Sequence, residues 1–432
     1  MPFETQGSGP KRVAVIGGGI SGMGAAHLLA RQHHVTLFEA ERRLGGHART
    51  IVAGKNGDQP VDTGFIVFNY ANYPYLAALF HELGVPVAKS SMSFGASFAG
   101  GRLEYGLQGL DSIFAQRKNL ADPRFLRMIR DILYFNKHAL DAADDPDMTI
   151  GALLAKLGTG DWFRRHYLLP FSGAIWSTPK DKIMDFPAHS LVRFFHNHAL
   201  LQTEGQHQWY TVEGGSATYV ARLDAALRQQ GVDIRLGAPV MSVTRFGHAV
   251  SVRPKNGAEE AFDEVVFASH SDQCLRMLSD PSAREQAALG AVRYQPNEVV
   301  LHADHRVMPN SRKVWASWCY SEDRTRTSDQ IDITYWMNSL QPIPKSDPMF
   351  VTLNSARTIR EELIYDATTM HHPVYDLGVM EAQRILAECN GANRTWFCGA
   401  WMKNGFHEDG LSSAVDVADG MARQAVMPMA AE

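Results

Sequence analysis

The run Gly17-Gly18-Gly19-Ile20-Ser21-Gly22 and the acidic Glu39 have the types and spacing needed to hold a dinucleotide. Three glycines do three jobs when a chain wraps a pyrophosphate. Gly17 allows a sharp turn, Gly19 lets phosphates approach the backbone, and Gly22 lets a helix pack closely on a strand. The N-terminus of the helix that follows then faces the phosphates, with Ile20 and Ser21 among the expected cofactor contacts. A carboxylate at Glu39 suits ribose hydroxyls. Such residues need a strand, a helix and a second strand to place them. Arg12-Val13-Ala14-Val15-Ile16 is a β-branched run, Met23 to Ala30 is helix-like and alanine-rich, and Val35-Thr36-Leu37-Phe38 is a second short strand. The segment predicts a nucleotide-binding βαβ unit; a purely structural glycine turn is the alternative.

The next residues select the dinucleotide. Glu39-Ala40-Glu41-Arg42-Arg43-Leu44-Gly45-Gly46-His47 resembles the E-A-x-x-R-x-G-G-R run of the flavin amine oxidase superfamily, which includes monoamine oxidase, protoporphyrinogen oxidase and phytoene desaturase. The resemblance implies FAD and an α/β fold: a Rossmann-like FAD-binding domain of the glutathione reductase and amine oxidase type, with an α+β substrate domain. Arg43 can offer a charged fork to phosphate or ribose oxygens, and Gly45 and Gly46 let the backbone pass close to the flavin arm. His47 stands where the superfamily has arginine. Val61-Asp62-Thr63-Gly64 resembles the D-x-G element that approaches the flavin ring, and Glu213-Gly214-Gly215-Ser216 resembles the superfamily's GGS turn. A backbone contact from Val240 to adenine is implied. Trp396-Phe397-Cys398-Gly399-Ala400 and Glu408-Asp409-Gly410-Leu411 resemble the closing strand and helix, whose amides around Gly410 and Leu411 face the N1 and O2 edge of the flavin.

The same resemblance brings forward four catalytic candidates: His407, Glu408, His371 and His372. Amine oxidases place a lysine near flavin N5, and here Asn297 or Glu298 stands in its place. They also flank the amine with two aromatic rings; alignment by Gly410 puts His407 at one and His371 or His372 near the other. Imidazole makes a poorer cationic cage and a better proton carrier. The competing readings are a loop histidine satisfying backbone groups for His407 and a structural strand position for His371 and His372. Glu408 has three readings: general base, pocket-orienting group, or favourable charge at a helix start.

A narrower resemblance covers nearly the whole chain. Gly46-His47-Ala48-Arg49-Thr50, Asp62-Thr63-Gly64-Phe65-Ile66-Val67-Phe68-Asn69, Ser91-Met92-Ser93-Phe94, Phe114-Ala115-Gln116-Arg117-Lys118-Asn119 and Ser172-Gly173-Ala174-Ile175-Trp176-Ser177 are similar to the flavoprotein-like N-terminal region of plant cyclopropane fatty acid synthases. They are also similar to bacterial flavoproteins associated with lipid methyltransferases. The resemblance implies an unsaturated, methylated or cyclopropanated fatty acyl substrate, oxidation or desaturation with furan fatty acid formation in view, molecular oxygen as electron acceptor, and a lipid methyltransferase partner. A flavin amine oxidase and a flavin-containing accessory subunit of such a methyltransferase are the alternatives.

The order of motifs divides the chain. Residues 11–70, 205–275 and 390–426 are expected to build a discontinuous FAD-binding domain, 71–204 and 276–389 a substrate domain, and 1–10 and 427–432 tails. The 432 residues, 45% hydrophobic and 20% charged, describe a globular protein, and a net charge of −4 argues against nucleic acid as a partner. The four cysteines show no metal spacing, Arg164, Arg165 and His166 form no trusted ligand pattern, and no metal is expected. The first ten residues lack a signal-peptide pattern and no long apolar run occurs, so a cytoplasmic location is expected. Peripheral contact with the inner membrane face is a further expectation. It rests on Pro123 to Leu140, where Phe125, Met128, Ile129, Ile132 and Leu133 recur at helical spacing beside Arg124, Arg127, Arg130 and Lys137. A core helix is the alternative. Trp315, Trp318, Tyr320, Tyr335 and Trp336 are either lining for an apolar tunnel or plain core.

Overall fold

The computed structural model describes residues 9–145, 147–176, 180–202, 205–322 and 331–426. Ser177, and the ends 1–8 and 427–432 of the two expected tails, lie outside the described residues.

Five parallel strands form the nucleotide-side sheet, in the order Asp233–Arg235, His34–Phe38, Arg12–Ile16, Glu264–Phe267, Thr395–Phe397. A parallel sheet is covered on both faces, so its strands read as unbroken apolar runs. Val13, Ala14 and Val15 are accordingly fully buried. The strands come from three distant stretches of chain. Helix Ile20–Leu29 begins three residues before the expected Met23, because Gly19 itself is the extended N-cap. An antiparallel meander, Val240–Arg245, Val250–Pro254 and Glu260–Phe262, lies beside the parallel sheet in sequence.

The second large sheet has seven strands, in the order Ile364–Val374, Arg293–His302, Phe350–Leu353, Ile333–Trp336, Trp318–Glu322, Phe94–Phe98, Leu103–Gly106. Period-two alternation sends Val299, Leu301, Ile333 and Val351 into the core shared with the helices, and Phe350 and Cys319 to the other face. The five aromatic residues therefore do not share one face. Trp318 and Tyr335 pair across strands on the helix side, with ring centroids 5.6 Å apart, whereas Trp315 and Trp336 pack together on the opposite side. Of the tunnel candidates, Trp318 and Tyr335 remain half-buried on the inner face.

Helix Pro123–Ala142 is capped by Asp122, whose carboxylate accepts from the Arg124 amide. Of the stripe read from the sequence, Phe125, Met128 and Ile132 are buried core, Ile129 is half-buried and Leu133 faces outward. The outward face holds Leu126, Leu133 and Tyr134, which are exposed, and Arg130 is mostly exposed beside the buried Asp131. Among the described residues no helix is long and apolar enough to cross a membrane.

The glycine turn separates two kinds of requirement. A Cβ on Gly22 would lie 1.7 Å from the Gly17 carbonyl oxygen, while a Cβ on Gly19 would meet nothing within 4 Å. Gly22→Ala is therefore expected to destabilise the fold by roughly 3 kcal/mol or more. Gly19→Val should leave the thermal unfolding midpoint near wild type and abolish flavin retention. Paired melting curves and flavin-to-protein ratios check this; equal damage to stability by both substitutions would contradict it.

Candidate active site

The cradle assembles around Gly19. Gly17, at φ +113°, turns the chain under the Ala268 carbonyl, and its amide donates to the Phe38 carbonyl at 2.8 Å. Glu39 ends the second strand with both oxygens engaged: one accepts from the Gly18 amide at 2.5 Å, the other from the Glu41 amide at 2.7 Å. Burial pushes the Glu39 carboxyl above its usual range. Ala40 is exposed beside it. The Ala238 amide donates to the Glu39 carbonyl, which brings the start of the Val240 strand to the same place.

Arg43 behaves differently from the expectation of a phosphate fork. Its guanidinium donates to the carbonyls of Gly46 at 2.8 Å and Ala48 at 3.2 Å, so it shapes the Gly45-Gly46 loop. That loop lies against the glycine turn, with the Gly45 amide donating to the Gly18 carbonyl at 2.8 Å. Gly64 must be glycine for a neighbouring reason: a Cβ there would lie 1.8 Å from the His47 carbonyl oxygen, which accepts from the Phe65 amide. Thr63 donates its amide to the Arg49 carbonyl.

Asp62, fully buried, joins the two weak motifs. It accepts from the Ser216 amide at 2.8 Å, the Ser216 hydroxyl at 2.7 Å, the Thr50 hydroxyl at 2.6 Å and the Gln341 side-chain amide at 3.0 Å. Desolvation pushes its carboxyl up to about 6 against these bonds. Ser216 in turn starts helix Ala217–Gln229, which carries Tyr219.

Helix His407–Val426 closes the site. Its Gly410 packs where a Cβ would meet Ser21 and Ile20, so two helix starts converge beside Gly19. Gly399 donates its amide to Ser413, and the Ala400 amide nitrogen lies close to Gly410. Leu411 is buried against Gly24. The Gly410 amide donates to the Phe406 carbonyl within the first turn. The orphaned amides are therefore those of His407, Glu408 and Asp409, earlier than the expected Gly410 and Leu411.

His407 is a lining residue with a specific partner. Its ring stacks on Phe65 at 4.0 Å, and its Nε2 lies 2.6 Å from the Tyr219 hydroxyl. His47 stacks with His372 at 5.6 Å and lies 5.8 Å from His270. The His47 ring is solvent-accessible beside these two neighbours. Desolvation, with the neighbouring rings adding to it, pulls His407 and His372 down to about 3 and His270 to about 4, and lowers His47. Burial thus favours the neutral form of all four imidazoles.

Of the two residues expected in place of the superfamily's lysine, Asn297 is buried and Glu298 exposed. The Asn297 side-chain amide lies 2.8 Å from His372 Nδ1. His371 alternates to the other side of the strand and is exposed, so of the pair His372 makes the site contacts. Glu408 is not a free base: its two oxygens accept from the Tyr75 and Leu76 amides, both at 2.9 Å, and cap helix Pro74–Glu82. The sequence reading missed Tyr219, His270 and Asn354 as site residues; no local pattern marks them, because each partner comes from a distant stretch.

The cradle fits FAD: open space lies over Gly19, two helix starts converge beside it, and the solvent-accessible His47 follows the Gly45-Gly46 loop. The sequence profile of the flavin containing amine oxidoreductase family matches residues 20–353. AofH of Mycobacterium tuberculosis, which carries the name of a flavin-containing monoamine oxidase, is 26% identical over 268 residues, covering 58% of this chain and 55% of that protein. An L-amino-acid oxidase of Bothrops pauloensis is 47% identical over 51 residues, 12% of this chain and 10% of that one. The matched stretches thus span between a tenth and about half of these curated relatives. The crystal structure of a fatty acid isomerase from P. acnes that produces CLA superposes with a TM-score of 0.68 at 15% identity, covering 96% of this chain and 98% of that one. Putrescine oxidase bound to putrescine gives 0.68 at 15% identity, over 96% and 99%. At such identities the likeness carries the fold.

The neutral imidazoles set a pH dependence for the flavin-free protein. An unfolded histidine titrates near 6.5, whereas His407, His372, His270 and His47 are lowered in the fold. Their contribution is complete above about pH 6.5 and is lost as pH falls towards their folded values. Asp62 and Asp409, raised to about 6, act oppositely and stabilise on acidification through 6. His33, His166, His198 and His302 are lowered as well and Glu39 and Glu408 raised, so eight imidazoles stand against four carboxyls, and stability should fall between pH 7 and pH 4.5, and fall less in His407→Gln. Urea midpoints at both pH values measure it; an identical drop in the variant would show that His407 is not held neutral.

Proposed function

The chain belongs to the family of flavin-containing amine oxidoreductases, and from that premise we propose that it is an FAD-dependent oxidoreductase acting on an unsaturated, methylated or cyclopropanated fatty acyl chain. The observation that carries this reading is the wall of the cavity. A cationic amine is held by electron-rich aromatic faces. Here burial favours the neutral form of His407, His372 and His47, and Asn297, one of the two residues expected in place of the superfamily's lysine, is buried and uncharged. Uncharged walls suit an uncharged chain. The inner face of the seven-stranded sheet continues from Asn297 to the half-buried Tyr335 and Trp318, an apolar path for acyl carbons.

FAD, when bound, supplies the acceptor for two electrons and a hydrogen. The protein's own groups hold and orient. The helix starts at Ile20 and His407 favour negative charge in the cradle, and the enclosed cavity keeps water from the reacting carbons. His407 and Tyr219 share a hydrogen bond, so the phenol oxygen can take up a proton while its own passes to Nε2 and the ring gives one up from Nδ1, which leaves both groups neutral. Molecular oxygen as final acceptor, a lipid methyltransferase as partner and residence at the inner face of the membrane belong to the same proposal. The exposed Leu126, Leu133 and Tyr134 beside Arg130 offer a surface for the last.

Anaerobic bleaching of the bound flavin tests the substrate class. A methylated or cyclopropane lipid should bleach it and putrescine should not; bleaching by the amine alone would make the protein an amine oxidase, and bleaching by neither would favour an accessory subunit. His407→Ala should slow lipid-dependent bleaching by ~10²-fold at normal flavin content, the usual scale for losing a positioned proton carrier.

A further inference from the structure

We propose that His372 is a hydrogen-bond donor to the ligand of this cavity, a neutral imidazole whose proton is fixed on Nε2 by a chain of amides that starts at the backbone of Glu298. The inference deepens the reading above by assigning a role at the same site, and its first test does not depend on the substrate. The argument runs from a group whose polarity is beyond question. A backbone N–H can only donate, and that of Glu298 donates to Asn354 Oδ1 at 3.0 Å. This fixes the Asn354 amide, which leaves its Nδ2 to donate, and it does so to Asn297 Oδ1 at 2.7 Å and to the Ile331 carbonyl at 3.3 Å. The Asn297 amide is fixed in turn. Its Nδ2 can only donate, and His372 Nδ1 at 2.8 Å is its acceptor. An imidazole nitrogen that accepts is unprotonated, so a neutral His372 carries its proton on Nε2.

The surroundings favour one uncharged tautomer. Asn297 is fully buried and Asn354 nearly so, so reversing either amide would oppose like groups away from water. The titratable groups that act on His372 are His47, His270 and His371, which oppose a second proton. The His372 ring stacks on His47, in the cavity that continues from the flavin cradle. The acceptor that Nε2–H would meet is a carbonyl oxygen, carboxylate oxygen or ring nitrogen, supplied either by the flavin edge or by the head of the acyl substrate. Asn297 and Asn354 are positioning residues that act through His372.

Long-range 1H–15N spectra of protein labelled on histidine nitrogen read the tautomer directly, with His372→Asn assigning the signals. In wild type at pH 7 the His372 ring should show a protonated Nε2 and an accepting Nδ1, with flavin present or removed. Asn297→Asp puts an acceptor opposite Nδ1 and should move a proton onto it, while the other histidines keep their spectra. A protonated Nδ1 in wild type, or a ring unchanged by Asn297→Asp, would overturn the relay. A shift of the Nε2 proton on flavin loading assigns the flavin as acceptor, and one that appears only on adding oleate assigns the acyl head. No shift in either step would overturn the donor role while leaving the substrate class to the bleaching experiment.

Discussion

Asp62 is the constraint on which the rest of the site depends. A carboxylate with no exposed surface is costly unless every lone pair is used, and this one spends them on groups from three distant stretches: Thr50, Ser216 and Gln341. Thr50 belongs to the strand after the Gly45-Gly46 loop, Ser216 starts the helix bearing Tyr219, and Gln341 follows the strand bearing Tyr335 and Trp336. One buried charge thereby fixes the spacing between the cradle, the partner of His407 and the large sheet. Its elevated titration range shows that the hydrogen bonds only partly offset the loss of water.

The cradle was legible in the sequence because its parts are local. Turn, helix, second strand and acid fall within about thirty residues, and each demand is steric: Gly17 by its φ, Gly22 by the carbonyl it touches, Gly19 by the room it leaves. Arg43 has a second role that the sequence does not show, for a related reason. Its motif position is local, but its donors turn to loop carbonyls that only a folded loop presents. The catalytic side was legible in type and not in detail. His407 and His372 were named as proton carriers, whereas Tyr219, Asn297 and Asn354 became visible as their partners once strands far apart in sequence paired. Glu408 illustrates the limit. Nothing nearby in sequence shows that the start of helix Pro74–Glu82 needs its carboxylate.

Neutrality is the property that unites the cavity wall. Imidazoles outside proteins are poised to charge near neutral pH, yet those here face one another and little solvent, and burial dominates each shift. Such rings can accept and donate without attracting an ion, which distinguishes this wall from one built to hold a cation.

The dispersion of the nucleotide-side sheet has a consequence for biogenesis. Its first two strands are neighbours in the chain, but the strand Thr395–Phe397 and the closing helix His407–Val426 follow every other described element. During synthesis the glycine turn therefore emerges with one wall and waits for most of the chain before its opposite wall exists. Contacts of such large sequence separation form slowly and leave apolar strand surface exposed meanwhile. Cofactor capture belongs to the last stage of folding, and a ribosome paused before residue 395 holds a nascent chain with half a cradle and the affinity of neither half alone.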